Sequence, residues 1–136
     1  MTNMAIIEGR ISAIKGYLLD LEEYKKYSQD EVMSNQMVKF ALERLLYLVS
    51  QACIDLGEEV IAYKKLRKPT THRDTFDVLG QANIISQDLE LRLGKMAGFR
   101  NVIAHDYVKI DYTLVYNVLH TQLAGISEFV EVAEKL

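Results

Sequence analysis

The sequence contains few of the residues on which metal and redox chemistry depend. Its 136 residues include one cysteine, Cys53, and three histidines, at positions 72, 105 and 120. A lone cysteine cannot form an internal disulfide, and this one lies in an apolar run where it should pack as a small hydrophobic side chain. Three histidines spread along the sequence offer little to a transition metal. We therefore expect no catalytic metal, no cofactor and a reducing, cytoplasmic setting.

Residues that interrupt helices are also scarce. The chain has a single proline, Pro69, and seven glycines, and apolar residues recur at helical intervals nearly throughout. Its length suits one buried core and is short for two ordinary domains, so we expect residues 1–136 to form a single domain. We predict an all-α fold, an up-and-down bundle of four to five helices.

Apolar spacing and capping residues predict the position of each helix. The predicted elements are a helix ending near Tyr27, one from after Asp30 to about Lys65, a short one over about 74–81, one capped by Ser86, and a last one capped by Asp111 that runs to the C-terminus. Gly57 is a candidate bend in the second helix. Glu43, Arg44 and Asp55 are polar exceptions in the same helix. We favour solvent exposure for them over mutual pairing or a role in a site.

The charge balance argues against a protein that coats nucleic acid through global electrostatics, because the net charge is −3. A local basic segment lies beside His72 and is formed by Lys64, Lys65, Arg67, Lys68 and Arg73. It is a candidate for contact with RNA phosphates, and the alternative is that these cations only favour the C-terminal end of a long helix. Apolar runs stay well short of the roughly 18 residues of a membrane span, so we expect neither a span nor a signal peptide.

Polar chemistry is concentrated in residues 98–107, which hold an arginine, an amide, an imidazole, a carboxylate and a phenol. On a helix, Asn101 and His105 lie one turn apart, so the amide can fix the tautomer of the imidazole. Arg100 falls on the apolar stripe of its helix. Such a violation of the apolar pattern tends to mark a functional place.

Cleavage of RNA without a metal requires a base for the ribose 2′-hydroxyl, an acid for the leaving 5′-oxygen and a cation for the transition state. Arg100 and His105 match two of these roles. The third is open: one histidine serves both proton transfers in turn, or two copies of the motif face one substrate across a dimer. From spacing alone, a purely structural helix end is the favoured interpretation.

The pattern Arg-Asn-x-x-x-His-x-Tyr, here Arg100, Asn101, His105 and Tyr107, resembles the signature of HEPN-domain ribonucleases, and the whole chain is similar to their HepT toxin branch. The resemblance implies a metal-independent endoribonuclease that forms a homodimer with a composite site. In that site Arg100 would stabilise charge, His105 would transfer protons and Asn101 would orient. A folded RNA such as tRNA is our candidate substrate.

The resemblance also implies a partner, a minimal nucleotidyltransferase antitoxin that transfers AMP to the tyrosine of the motif. Here that residue would be Tyr107, and an adduct two residues from His105 would add bulk and negative charge where the RNA phosphate must lie. Two other functions stay open at this point: a non-catalytic HEPN module that pairs with a nucleotidyltransferase, and a bundle with a structural role only.

Overall fold

The computed structural model describes residues 3–105 and 110–136, and within these ranges the chain is helical and contains no β-strand. The α-helices are α1 (Asn3–Glu22), α2 (Gln29–Ser34), α3 (Gln36–Tyr63), α4 (His72–Gln81), α5 (Gln87–His105), α6 (Tyr112–Thr121) and α7 (Leu123–Glu134). A 3-10 turn, Glu23–Lys26, follows α1. The all-α prediction is confirmed, with more helices than the four to five expected. In the ranges described, no helix has the length and apolar character needed to cross a membrane.

One additional helix arises at Asn35, where the sequence predicted a continuous helix from Asp30 to Lys65. Ser28 starts α2 with a capping box shared with Glu31. Asn35 is extended, and its side-chain oxygen accepts hydrogen bonds from the backbone N–H groups of Met37 and Val38. The asparagine therefore caps a new helix, and the predicted continuity was wrong.

The other additional helix comes from a break in the last predicted helix. Asp111 caps α6 as expected, because its carboxylate accepts a hydrogen bond from the Thr113 N–H. The Thr121 hydroxyl donates to the Asn117 carbonyl at 2.7 Å. Such a bond to the carbonyl one turn earlier commonly bends a helix, and the chain separates here into α6 and α7.

Helix α3 lies at the centre of the bundle and packs against α1, α4, α5 and α6. Its buried side chains recur at three- and four-residue intervals: Val38, Leu42, Leu46, Val49, Cys53, Leu56 and Val60. On α1 the facing side chains Ile7, Ile11, Ile14 and Leu21 are buried. Burial also raises the pKa of the Cys53 thiol. Cys53 thus packs as a small hydrophobic side chain, as the sequence predicts.

Gly57 allows α4 to approach α3 closely. A Cβ atom at this position would lie 2.7 Å from Cγ2 of Thr75, which is fully buried on α4. Helix α3 continues through the glycine without interruption. The absence of a side chain thus serves helix packing, and this packing places the N-terminus of α4 near the last turns of α5.

The connection between α3 and α4 is held by Arg67 and Asp74. The guanidinium donates to both carboxylate oxygens at 2.8 and 2.9 Å, and the Thr70 N–H donates to the same carboxylate. These bonds hold the pKa of Asp74 well below its usual range. One cation of the basic segment is therefore already paired, while Lys64, Lys65 and Lys68 are exposed.

Candidate functional site

Helix α5 carries the motif in its last two turns. The Ser86 hydroxyl accepts a hydrogen bond from the Leu89 N–H at the start of the helix, as predicted. At the other end Arg100 is half-buried, while Asn101 and His105 are exposed. Tyr107, the predicted site of modification, lies outside the described residues.

Arg100 points towards α3 and is held by three polar partners. Its Nε donates to Gln51 Oε1 at 2.6 Å, its Nη1 to Asn101 Oδ1 at 3.2 Å and its Nη2 to the Tyr47 hydroxyl at 3.4 Å. The guanidinium carbon also lies 5.3 Å from the centre of the Tyr47 ring. All three acceptors are uncharged, and no carboxylate in the described ranges forms an ion pair with this arginine. The site therefore presents a fixed positive charge without a counterion.

A polar stripe on α3 forms the wall opposite α5. Its members, Glu43, Tyr47, Gln51 and Asp55, recur every four residues and are all half-buried. Asp55 accepts a hydrogen bond from Gln51 Nε2 at 2.9 Å. Because that bond uses the amide nitrogen of Gln51, the amide oxygen is turned towards Arg100.

The outer members of the polar stripe correct one expectation from the sequence, which favoured solvent exposure for Glu43, Arg44 and Asp55. Arg44 is exposed. Glu43 instead accepts a hydrogen bond from the Tyr112 hydroxyl at 2.6 Å, and Asp55 lies 3.8 Å from Arg10 on α1. Burial, followed by the hydrogen bond to Glu43, raises the pKa of Tyr112 to about 12. The solvated interpretation was therefore wrong for Glu43 and Asp55, because both bind neighbouring helices.

Asn101 links the arginine to a histidine that the sequence did not place in the site. Its side-chain oxygen accepts from Arg100 and lies 3.3 Å from Nδ1 of His72, the first residue of α4. In the part of the chain that is described, Asn101 forms no hydrogen bond with His105. The pairing of Asn101 and His105 that helical spacing suggested is therefore absent here, and the amide oxygen of Asn101 contacts Arg100 and His72 instead.

A cavity of about 300 Å³ lies on the other side of Tyr47, a partner of Arg100, and is lined by Glu43, Arg44, Tyr47, Ile103 and Ala104. It joins the polar stripe of α3 to the last turn of α5, directly before His105. Within the ranges described, no cluster of three or more histidine, cysteine, aspartate or glutamate side chains is placed to hold a metal ion. The chemistry available at the end of α5 is anion binding by Arg100 and proton transfer by the exposed imidazole of His105.

Sequence reasoning missed Tyr47, Gln51 and His72. Tyr47 and Gln51 could have been found from the sequence, because polar residues every four positions in an otherwise apolar helix indicate one polar face. For His72 the sequence offered only its position beside the basic segment. Its contact with Asn101 depends on how α4 packs against α5, which local patterns do not determine.

This combination of an all-α bundle and an Arg/His motif at the end of the helix that packs against the polar stripe of α3 defines a HEPN-type protein. The chain belongs to the HepT-like ribonuclease family, whose model matches residues 14–133. It is accordingly an RNA-cleaving enzyme.

Two characterised relatives and one solved structure illustrate the similarity. The chain is 33% identical over 118 residues to the tRNA nuclease HepT of Aphanizomenon flos-aquae, covering 85% of this chain and 80% of the relative. It is 29% identical over 131 residues to the mRNA nuclease HepT of Shewanella oneidensis, covering 93% and 95%. Its fold matches the tri-AMPylated Shewanella oneidensis HEPN toxin, solved in complex with the MNT antitoxin, with a TM-score of 0.87, 26% identity and full coverage of both chains.

Proposed function

We propose that this protein is a metal-independent endoribonuclease, the toxin of a toxin–antitoxin pair, and that it cleaves RNA through an Arg100/His105 site shared between two protomers. The observation that carries the proposal is the setting of Arg100. Three uncharged partners fix its guanidinium and leave its charge unneutralised. A phosphate is the natural counterion for such a group.

Arg100 retains donors for the substrate after its internal bonds are made. A guanidinium has about five N–H donors, and three are used here, which leaves about two for phosphate oxygens. Those donors stabilise the charge that builds up on phosphorus as the ribose 2′-oxygen attacks. Attack by the adjacent 2′-oxygen needs no external nucleophile and leaves a 2′,3′-cyclic phosphate on one product.

A second protomer brings its His105 to the phosphate that Arg100 holds. Arg100 and His105 are five residues apart on α5, so their positions differ by about 140° around the helix axis. A symmetric dimer that brings two motifs to one cleft allows Arg100 of one copy and His105 of the other to act on the same phosphate. The exposure of His105 leaves its ring free to meet a second copy.

The antitoxin of this proposal is a minimal nucleotidyltransferase that transfers AMP to Tyr107. The solved relative with 26% identity is itself a HEPN toxin that carries AMP in complex with an MNT antitoxin. An AMP group two residues from His105 repels the RNA phosphate and occupies its space. Tyr112 is a poor acceptor by comparison, because its hydroxyl is bonded to Glu43.

Incubation with the cognate nucleotidyltransferase and ATP tests this regulation through the intact mass of the protein. Wild type should gain one or more AMP groups and lose RNA cleavage. Tyr107→Phe should gain none, while Tyr63→Phe, which alters an exposed tyrosine at the end of α3, should be modified like wild type. Modification of Tyr107→Phe to the wild-type extent would contradict the assignment.

RNA is proposed to reach the site along Lys64, Lys65 and Lys68, the exposed cations of the basic segment. The two characterised relatives act on tRNA and on mRNA, and we propose a folded RNA such as tRNA as the substrate, met in the cytoplasm. Contacts between lysines and phosphates make binding weaken as salt rises.

Growth of cells that overproduce the protein without its antitoxin tests the toxin function. Wild type should arrest growth, and Arg100→Ala and His105→Ala should not. His120→Ala is the matched control, because His120 contacts the ring of Tyr116 on α6 and lies outside the motif. Equal growth of wild type and both motif variants, at equal protein levels, would contradict the proposal.

A further inference from the structure

His72 contacts the motif through Asn101 although it lies 29 residues earlier in the chain. We propose that His72 is a further catalytic residue, the base that removes the proton from the ribose 2′-hydroxyl, and that His105 is the acid that protonates the leaving 5′-oxygen. This inference rests on the proposed ribonuclease function and fills the role that the motif alone leaves open.

The hydrogen bonds of Asn101 determine which nitrogen of His72 is free. Asn101 Oδ1 accepts from Arg100, so the oxygen and not the amide nitrogen faces this junction. The same oxygen lies 3.3 Å from His72 Nδ1 and has no hydrogen to give. Nδ1 must therefore donate, and in the neutral ring the lone pair is then on Nε2. The imidazole is held in the tautomer that a base requires.

The first two residues of α4, His72 and Arg73, contact α5, and this packing holds the His72 ring beside Asn101. The Thr71 hydroxyl accepts from the Asp74 N–H and fixes the start of α4. Arg73 then lies against Gly94, where a Cβ atom would be 3.3 Å from the arginine Nε. Further along α5, three residues before Asn101, Gly98 is exposed, and a Cβ there would meet nothing within 4 Å. This part of the α5 surface is therefore open to a substrate.

The proposed step balances without a metal. The 2′-hydroxyl proton moves to Nε2 of His72, the bond from the 2′-oxygen to phosphorus forms, and the bond from phosphorus to the 5′-oxygen breaks. The 5′-oxygen takes a proton from His105. His72 and Arg100 come from one protomer, because Asn101 joins them, and His105 is supplied at the shared cleft. Exchange of protons with water restores both histidines.

Helices α5 and α3 pack against α4, and both carry charged groups that are linked to His72 by hydrogen bonds. On α5 this group is Arg100, which shares the oxygen of Asn101 with His72. On α3 it is Asp55, which is bonded to Gln51, the partner of Arg100. On α4 itself Arg73 and Asp74 follow the histidine, and Asp74 is paired with Arg67.

The test compares His72→Gln with His105→Gln in cleavage rate against pH. Glutamine at 72 can still donate to Asn101 but carries no basic nitrogen, so His72→Gln should lose about 10²- to 10⁴-fold in kcat/KM. Its cleavage rate should also no longer fall at acidic pH, whereas the wild-type rate falls there because the base is protonated. His105→Gln should lose the alkaline limb, and His120→Gln should match wild type.

A substrate with sulfur in place of the leaving 5′-oxygen separates acid from base, because a thiolate leaves without a proton. Cleavage of this substrate should recover in His105→Gln and stay slow in His72→Gln. Added imidazole should partly restore His72→Ala, which loses the base and not the fold.

Four results overturn the assignment. Wild-type rates in His72→Gln, while His105→Gln is inactive, would remove His72 from the mechanism and leave the proposed function intact. A slow His72→Gln that keeps its acidic limb would make His72 a positioning residue for Asn101. Recovery of His72→Gln on the sulfur substrate would make it the acid. Absence of cleavage by wild type would refute the ribonuclease proposal itself.

Discussion

Arg100 differs from the other paired arginines of the protein in the charge of its partners. Arg67 donates to Asp74, and Arg92 donates to Asp88 and Glu128, so a carboxylate balances each of these guanidinium groups. The partners of Arg100 are two amides and a phenol. A guanidinium that is fixed without being neutralised keeps its attraction for an anion, whereas a paired surface arginine mainly supports structure.

The hydroxyl of Tyr112 contributes stability through Glu43. Tyr112→Phe removes a 2.6 Å bond to a half-buried carboxylate, so we expect the free energy of unfolding at pH 7 to fall by about 1 kcal/mol. The pKa of Tyr112 is raised to about 12, above the usual value of about 10 for tyrosine. The contribution is therefore complete below pH 10 and is lost as the pH rises towards 12.

Urea unfolding of wild type and Tyr112→Phe at pH 7 and pH 11 measures this effect. The difference between the two proteins should be full at pH 7 and clearly smaller at pH 11. Tyr116→Phe, on the same helix, is the control and should behave as wild type. A constant difference between wild type and Tyr112→Phe across this range would contradict the bond.

Asp74 makes the connection between α3 and α4 sensitive to acid. Its pKa is lowered by Arg67 first and by Thr70 second, so its stabilising effect is present above the unfolded value of about 3.9 and is lost as the pH falls below it. Wild type should lose stability below about pH 4 more steeply than Asp74→Asn. Thermal unfolding from pH 6 to pH 2 measures both slopes, and equal slopes would contradict the role of the carboxylate.

At the scale of elements, the contact between α3 and α4 depends on a missing side chain. Gly57→Ala puts a methyl group 2.7 Å from Thr75 Cγ2 in a buried contact, and we expect a loss of about 1–3 kcal/mol. Gly16→Ala is the matched control on α1, where a Cβ would meet nothing within 4 Å, and it should gain about 0.5–1 kcal/mol. Denaturant unfolding compares the two, and a Gly57→Ala protein as stable as wild type would contradict the close packing.

Local patterns predict most of these elements but not where two of the helices break. Apolar periodicity suffices to place the helices because burial of one face determines them. The break at Asn35 depends on a side chain that caps a helix in the middle of an apolar pattern, and the break after Thr121 depends on a hydroxyl that bonds one turn back. Both are bonds between a side chain and the backbone, which the spacing of apolar residues does not reveal.

The candidate site was predictable to the extent that it is local. Arg100 and His105 belong to one short segment, and the violation of the apolar stripe by Arg100 singles it out. Gln51 and His72 reach the motif only through packing of α3 and α4 against α5. Contacts between distant segments are decided by the tertiary fold, so they required the structure.

The proposed mechanism requires two copies of the whole protein at one site. Arg100→Ala and His105→Ala should each be inactive alone, and dimers reassembled from both should regain up to about a quarter of wild-type activity. Random reassembly makes about half of the dimers mixed, and in each mixed dimer one of the two sites is intact, so about a quarter of all sites are active. No recovery, although mixed dimers form, would mean that both residues of a site come from one copy.

Dimers reassembled from two different variants also show which protomer supplies His72 to a site. Because Asn101 joins His72 to Arg100 within one protomer, His72→Gln should complement His105→Ala and should not complement Arg100→Ala. Size-exclusion chromatography and differently tagged copies report how much mixed dimer is present. Recovery with Arg100→Ala would contradict the placement of His72 beside Arg100 of the same copy.

A cleavage assay in excess EDTA, with analysis of the product ends, tests most directly whether Arg100 and His105 cleave RNA without a metal. We expect freshly purified, unmodified wild type to leave 2′,3′-cyclic phosphates. Arg100→Ala and His105→Ala should lose about 10²-fold or more of this activity, and Arg92→Ala should keep it. Cleavage that stops in EDTA, leaves 3′-hydroxyl ends or survives in both motif variants would contradict the account.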